Sequence, residues 1–280
     1  MVFAQDKPDR LVTKANAKYE EYSFRPAIDI YKRVIDRGYT SADLLKKLGN
    51  AYYFNADYEE AANTYKRLVK EYPDDVAPEY YFRYAQTLKT LQEYESSNEV
   101  MAMFTNATSD DLRASTYKEE RDYLSEIKKN SGRYNVAPFN YNSPYSDFAP
   151  TFYKEGLIFS SDRDTGNFAR YRHTWNSKDF LDLYKVNADS ASNNLVVKLG
   201  DHVNTRLHES TSTTDKNGTV LYFTRNNYKE GKYVKDGKGI VRLKIYRATK
   251  NEEGLWSNIE ALPFNSYDYS VAHPTLSNDG

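Results

Sequence analysis

The chain has 280 residues, enough for about two domains. Its 39 basic and 40 acidic side chains nearly cancel; divided at residue 130 they stand at 20 against 23 and then 19 against 17, which excludes the phosphate-directed field of a dedicated nucleic-acid binder. The absence of cysteine excludes disulfides, thiolate metal sites, a cysteine nucleophile and, within this stretch, a lipid-bearing N-terminal cysteine, and no run of about 18 apolar residues could cross a membrane as a helix.

At the N-terminus, Val2-Phe3-Ala4 precedes Gln5-Asp6, with small or aliphatic residues where a signal peptidase reads them. Met1–Ala4 is therefore expected to be the tail of a secretory signal, with a mature start near Gln5. An ordinary cytosolic N-terminus is the alternative.

Pro8 to Thr40 and Leu44 to Pro73 read as two copies of one helical hairpin. In the second, Leu45, Leu48 and Tyr52 share one face of a first helix, and Ala61, Tyr65 and Leu68 the facing side of a second. Gly49 and Ala61 are small where two helices cross, and Pro73 stops the second helix. This spacing resembles the 34-residue tetratricopeptide repeat. Ala27, Tyr31 and Val34 lie 34 residues before Ala61, Tyr65 and Leu68, with a cap expected near Ser23 and a stop at Asp36-Arg37-Gly38. A third hairpin starts at Pro78, with Tyr81, Tyr84, Ala85 and Leu88 followed by Tyr94, Ser97, Met101 and Phe104, its linker two residues longer. A last helix is expected from Ser109 or Asp110 through about Lys129, with Leu112, Ser115, Leu124 and Ile127 inward and charge outward, as the end of a solenoid requires.

After Gly132 the pattern alternates instead, and a second period appears. Asn142, Asn204 and Asn265 are spaced 62 and 61 apart, Gly156-Leu-Ile-Phe-Ser-Ser161 answers Gly218-Thr-Val-Leu-Tyr-Phe-Thr224, and Leu183-Tyr184-Lys185-Val186 lies 62 before Ile245-Tyr246-Arg247-Ala248. Four short strands per copy fit this period: about 150–153, 156–161, 182–187 and 195–199 in the first, with Asn217-Gly218 and Asp279-Gly280 as turns in later copies. The expected fold is multidomain: an N-terminal α-solenoid of tetratricopeptide repeats over 5–131, then the first blades of a β-propeller over 132–280, about two and the start of a third. A two-layer sandwich is the rival.

Ser146-Asp147-Phe148-Ala149-Pro150 through Ile158-Phe159-Ser160-Ser161-Asp162-Arg163 resembles the WD40-like repeat of TolB-type propellers. Placed after tetratricopeptide repeats, it resembles the Bacteroidota periplasmic proteins that join such repeats to a propeller and an OmpA-like peptidoglycan-binding domain. That resemblance implies a periplasmic, outer-membrane-associated protein of type IX secretion or gliding motility. Its partners would be an outer-membrane PorP/SprF-type barrel and associated secreted adhesin or envelope machinery. Peptidoglycan would be reached only through a C-terminal domain beyond Gly280, and the chain is expected to continue there.

No catalytic residue, metal ligand set or cofactor is indicated. His173, His202, His208 and His273 are scattered and read as loop or turn residues. There is no G-x-S-x-G elbow and no Gly-rich phosphate loop. Asp162-Arg-Asp164-Thr-Gly166-Asn167 starts like a calcium loop but lacks the distal Glu, so Asp162 is expected to bind backbone amides and close a turn.

Two binding surfaces are expected. Lys46, Asn50, Tyr53 and Phe54 would face the groove lined by first helices, with Asn16 and Gln86 from neighbouring repeats; Lys46 and Asn50 resemble half of that family's clamp for a peptide carboxylate. A long loop from Arg163 to Asp179 carries Arg170, Tyr171, Arg172 and Trp175, residue types enriched at interface hot spots, and Arg225 to Arg242 holds six basic residues against two acidic. Function narrows to a non-catalytic scaffold; the alternatives are a propeller-bearing hydrolase or peptidase with catalytic residues beyond Gly280, and a cytosolic cochaperone.

Overall fold

The computed structural model describes residues 6–108, 110–119, 123–164, 172–187, 196–229 and 231–278. They form two compact units, Met1–Ala137 with Thr174–Asn176, and Pro138–His173 with Ser177–Gly280.

The first unit is three helical hairpins: α1 (Asp6–Glu20) with α2 (Phe24–Ile35), α3 (Ala42–Phe54) with α4 (Tyr58–Glu71), and α5 (Pro78–Thr90) with α6 (Tyr94–Ala107). The periodic residues form one core, with Ala27, Tyr31, Leu45, Ala61, Tyr65, Leu68, Ala85 and Phe104 fully enclosed. The leucine and phenylalanine side chains among them contribute about 1.5 to 3 kcal/mol each when removed from water, so the stacked stripes supply much of the unit's stability. Gly49 is small by necessity, because a Cβ there would stand 2.6 Å from Tyr65 Cε1. In the third hairpin Ser97 takes the small position, and its hydroxyl donates to the Ala85 carbonyl at 2.8 Å.

Each hairpin turns the same way. Tyr22, Ala56 and Gln92 adopt φ of 57°, 60° and 65°, and the next amides, of Ser23, Asp57 and Glu93, reach back five residues to the carbonyls of Lys18, Tyr52 and Leu88. This closes the first helix with a left-handed residue where glycine is usual. Ser23 is the N-cap of α2 as expected, but its side chain does not cap; its hydroxyl donates to Thr174 Oγ1 instead.

Within the expected last helix the described residues form α7 (Leu112–Glu119) and α8 (Tyr123–Lys129), and 120–122 lie outside the described residues. Leu112 and Ile127, expected inward, are 79% and 61% exposed. Ala114 is the buried contact of α7. Arg113 holds α7 in place by laying its guanidinium over Phe82 at 4.2 Å and pairing with Glu79 at 2.9 Å.

The second unit contains two open antiparallel four-stranded sheets. β1 (Asp147–Tyr153), β2 (Gly156–Ser161), β3 (Asp182–Asn187) and β4 (Val197–Lys198) follow one another in space. β5 (Glu209–Thr214), β6 (Val220–Asn226), β9 (Leu243–Lys250) and β10 (Trp256–Ala261) repeat that order, with a small hairpin, β7 (Tyr228–Lys229) and β8 (Lys232–Tyr233), between β6 and β9. The described strands do not close a ring. One core joins the sheets, with Tyr153, Ile158, Leu183 and Leu199 from the first and Leu221, Phe223, Tyr246, Ala248 and Trp256 from the second.

The two sheets share one register with one correction to the sequence alignment. Asp147 pairs with Ser161 and Glu209 with Arg225, so first strands are 62 apart but second strands 64. Gly156 therefore answers Val220, not Gly218. The β5–β6 turn carries two extra residues, Gly218 sits in it at φ 66°, and Asp215 accepts the Thr219 and Val220 amides, both at 2.7 Å. Gly156 has its own reason, since a Cβ there would lie 2.0 Å from the Val186 carbonyl oxygen across the ladder.

Candidate protein-binding surface

The first helices α1, α3 and α5 present one polar and aromatic face, and the expected groove residues divide on it. Lys46 is half-buried, its ammonium 5.7 Å from the centre of the Tyr80 ring. Tyr53 is half-buried against Phe54 and Tyr58. Arg83 arrives from α5, its guanidinium 6.0 Å from Tyr53 and 5.1 Å from Phe54, with Nε on Glu79 at 3.1 Å. Gln86 is half-buried on the same helix.

Asn50 does not face a partner. It is 5% exposed, its Oδ1 accepts the Tyr65 hydroxyl at 2.9 Å, and its Nδ2 donates to the Tyr19 hydroxyl at 3.1 Å. Asn16 plays a matching part 34 residues earlier, accepting the Tyr31 hydroxyl at 2.6 Å. Both are rivets between the helices of a hairpin, so the half-clamp formed by Lys46 and Asn50 is withdrawn. Burial pushes the Tyr65 and Tyr31 hydroxyls far above the usual phenol value, so both remain donors. The third hairpin has Gln86 and Met101 at these places and no such rivet.

Trp175, expected on an exposed sheet loop, belongs to the helical unit. Its indole packs on Phe24 at 4.7 Å and Tyr22 at 6.2 Å, and its Nε1 donates to the Phe54 carbonyl at 3.0 Å. Thr174 accepts from the Arg25 amide beside it. Trp175 thus covers one end of the aromatic row, leaving Phe54 at 36% exposure. Arg172 is exposed, while Arg170 and Tyr171 lie outside the described residues.

The second unit carries repeated polar fastenings. Asp147 accepts the Ser143 amide and hydroxyl, and Glu209 accepts those of Thr205. Asp162 takes the Ser146 amide at 2.6 Å and its hydroxyl at 3.2 Å, so it fastens the end of β2 to the start of β1, sixteen residues away, where the sequence implied the amides of its own turn. Their acidities diverge. Burial raises Asp147, but the Arg163 guanidinium at 2.6 Å and the serine contacts bring it below the usual carboxylate range. Burial pushes Glu209 up to about 8 against the pull of Thr205.

Asp182 is pushed up to about 6 by burial, although Lys198 bridges it to Asp164. His208 is held down at about 3 by burial and by the His173 ring 4.5 Å away, so its Nδ1 accepts the Leu181 amide as neutral imidazole. Among the described residues no three His, Asp or Glu side chains converge as a metal site, and no helix is long and apolar enough to cross a membrane.

Sequence reasoning missed Tyr80, Arg83 and Glu79. The signal available was the exposed face of α5, where Glu79 and Arg83 are four apart and Tyr80 lies between them; the interior spacing drew attention to the opposite face.

A family profile described as tetratricopeptide repeat matches residues 42–87, within α3 to α5. A solved structure described as the Sgt2 TPR domain from Aspergillus fumigatus is 15% identical, covers 49% of this chain and 91% of its own, and superposes with a TM-score of 0.37. No curated protein matches. By the profile match, residues 42–87 of the helical unit are of tetratricopeptide type, an architecture that works by holding protein partners.

Proposed function

We propose that the protein is a non-catalytic adaptor that holds a partner protein along the first-helix face of its helical unit. The observation that carries this is the row of Lys46, Tyr53, Tyr80 and Arg83 on α3 and α5, half-buried side chains already set in place by cation–ring contacts. Side chains ordered before a partner arrives lose little entropy on binding, and Tyr and Arg are the residues that dominate interfaces.

The partner in this reading is an outer-membrane barrel protein of the PorP/SprF type, in type IX secretion or gliding machinery with its secreted adhesins. The compartment is the periplasm, Met1–Ala4 is a signal remnant, and an OmpA-like domain after Gly280 would tie the assembly to peptidoglycan. Support comes from the order of parts, helical repeats and then tandem four-stranded sheets in a 62-residue register, which resembles that family. In the same reading the two sheets are the first blades of a propeller, and Arg170, Tyr171 and Arg172 form a secondary contact on their rim.

The test is purification of the tagged native protein from solubilised envelopes, with mass spectrometry of what accompanies it. An outer-membrane barrel in fixed ratio is the expected result. Recovery with cytosolic proteins alone would remove the compartment and the partner together.

A further inference from the structure

The β7–β8 hairpin is a slim basic projection, and its base is held rigidly. The Asn227 amide donates to the Arg242 carbonyl at 2.8 Å and the Val234 amide to the Asn227 carbonyl at 2.9 Å. Asp236 accepts the Lys238 and Ile240 amides at 2.8 and 2.9 Å, and its other oxygen takes Arg242 at 2.7 Å. Those amides and Arg242 hold the Asp236 carboxylate below the usual range, ionised and already neutralised by Arg242.

What is left over among the described residues is positive. Lys232, Lys235 and Lys238 are exposed and have no ion pair among the described residues. Tyr233 stands 57% exposed beside them, with the Lys235 ammonium 5.8 Å from its ring.

Three features select the kind of partner. Every exposed cation is lysine, a hydrated point charge that acts through a diffuse field, whereas fixed carboxylates are matched by the arginine fork. The hairpin and its base run only from residue 228 to 240, short of the roughly 20 to 30 residues a side of a stable protein interface. An exposed tyrosine among lysines is also the composition that settles at the headgroup layer of a bilayer, where each lysine gains from the negative surface potential.

We propose that the β7–β8 projection docks the protein onto the phosphate headgroups of an anionic phospholipid bilayer. This surface lies on the sheet unit and needs no partner protein, so it stands or falls separately from the helical groove.

The test is co-sedimentation of the whole chain with vesicles of phosphatidylcholine alone and of an equal mixture with phosphatidylglycerol, at low and high salt. Binding is expected to the mixed vesicles only and to fade as salt rises. The triple variant Lys232→Gln, Lys235→Gln, Lys238→Gln is expected to bind about 100-fold more weakly with an unchanged melting temperature, while the triple Lys→Arg variant keeps its binding. Tyr233→Ser is expected to weaken binding in a way salt does not mimic. Equal binding by the Gln variant, binding to neutral vesicles, or no vesicle binding alongside capture by soluble polyglutamate would each overturn the proposal.

Discussion

Tyr65 donates its hydroxyl to Asn50 Oδ1 at 2.9 Å, and the other side of the same amide donates to Tyr19 at 3.1 Å. One buried asparagine thus joins three helices, α1, α3 and α4. Asn50→Ala leaves two phenols with an unmet partner, so it is expected to cost about 1 to 3 kcal/mol of stability in chemical denaturation. Because the side chain is buried, partner capture by the protein that stays folded should be unchanged; a stable variant with weakened capture would return Asn50 to the groove.

Ala56 is held at φ 60° where the first helix of the central hairpin ends. A left-handed alanine costs about 1 to 2 kcal/mol that glycine does not bear, partly offset by glycine's looser unfolded chain. Ala56→Gly is therefore expected to raise the stability of the helical unit by about 1 kcal/mol. A lower midpoint in urea would mean that Ala56 contributes packing that its backbone geometry does not reveal.

Gly156 allows the closest approach in the first sheet, with the Val186 carbonyl oxygen 2.0 Å from where a Cβ would be. Gly156→Ala must part the β2–β3 ladder, at a cost of about 3 kcal/mol. Gly200→Ala, with open space around its Cβ position, is the control. Trp175 and Trp256 are the two tryptophans, one in each unit, so in a Trp175→Phe background the fluorescence of Trp256 reports this loss.

Glu209 gives the sheet unit a pH dependence. Its folded acidity, about 8, lies above its ordinary value of 4.5. The folded state thus holds a proton that the unfolded chain releases, and stability falls as pH rises from about 4.5 to about 8. His208, held at about 3, acts in the opposite direction below its ordinary 6.5, so the clean window is pH 6.5 to 8. Stability measured by Trp256 should drop across that window by a kcal/mol or more, and Glu209→Gln should flatten the curve. An unchanged slope in the variant would place the titration elsewhere.

Much of the fold was legible because its devices recur in the sequence. The 34-residue spacing of Ala27 and Ala61, or Tyr31 and Tyr65, marks side chains that interlock at every crossing. The asparagines 61 apart are legible for a similar reason: Asn204 brackets the amide and carbonyl of Leu183, and Asn265 does the same for Ile245. The left-handed turns were hidden, since Tyr22, Ala56 and Gln92 are residue types that give no turn signal. The two-residue shift of β6 was hidden because Gly156 and Gly218 align by identity while serving different purposes, close approach in one and a positive φ in the other.

The binding face was less legible than the core. Periodicity reports which residues point inward, and it placed Asn50 among the outward ones because its amide is polar; only the positions of Tyr19 and Tyr65 show that polarity satisfied inside. Trp175 was misplaced for the converse reason. A large aromatic in a long loop reads as a docking residue, and nothing local to 172–177 states that Phe24 and Phe54 are its partners.

The most direct measurement is quantitative mass spectrometry of the outer-membrane proteins recovered with the tagged chain, comparing the native sequence with the double variant Lys46→Glu, Tyr53→Ser after both are shown to melt alike. The account predicts one barrel protein recovered in fixed ratio by the native chain and reduced at least about tenfold by the variant, as the loss of interface anchors worth about 1.4 kcal/mol or more requires. Equal recovery of that protein by both chains would contradict the assignment of the first-helix face as the surface that holds it.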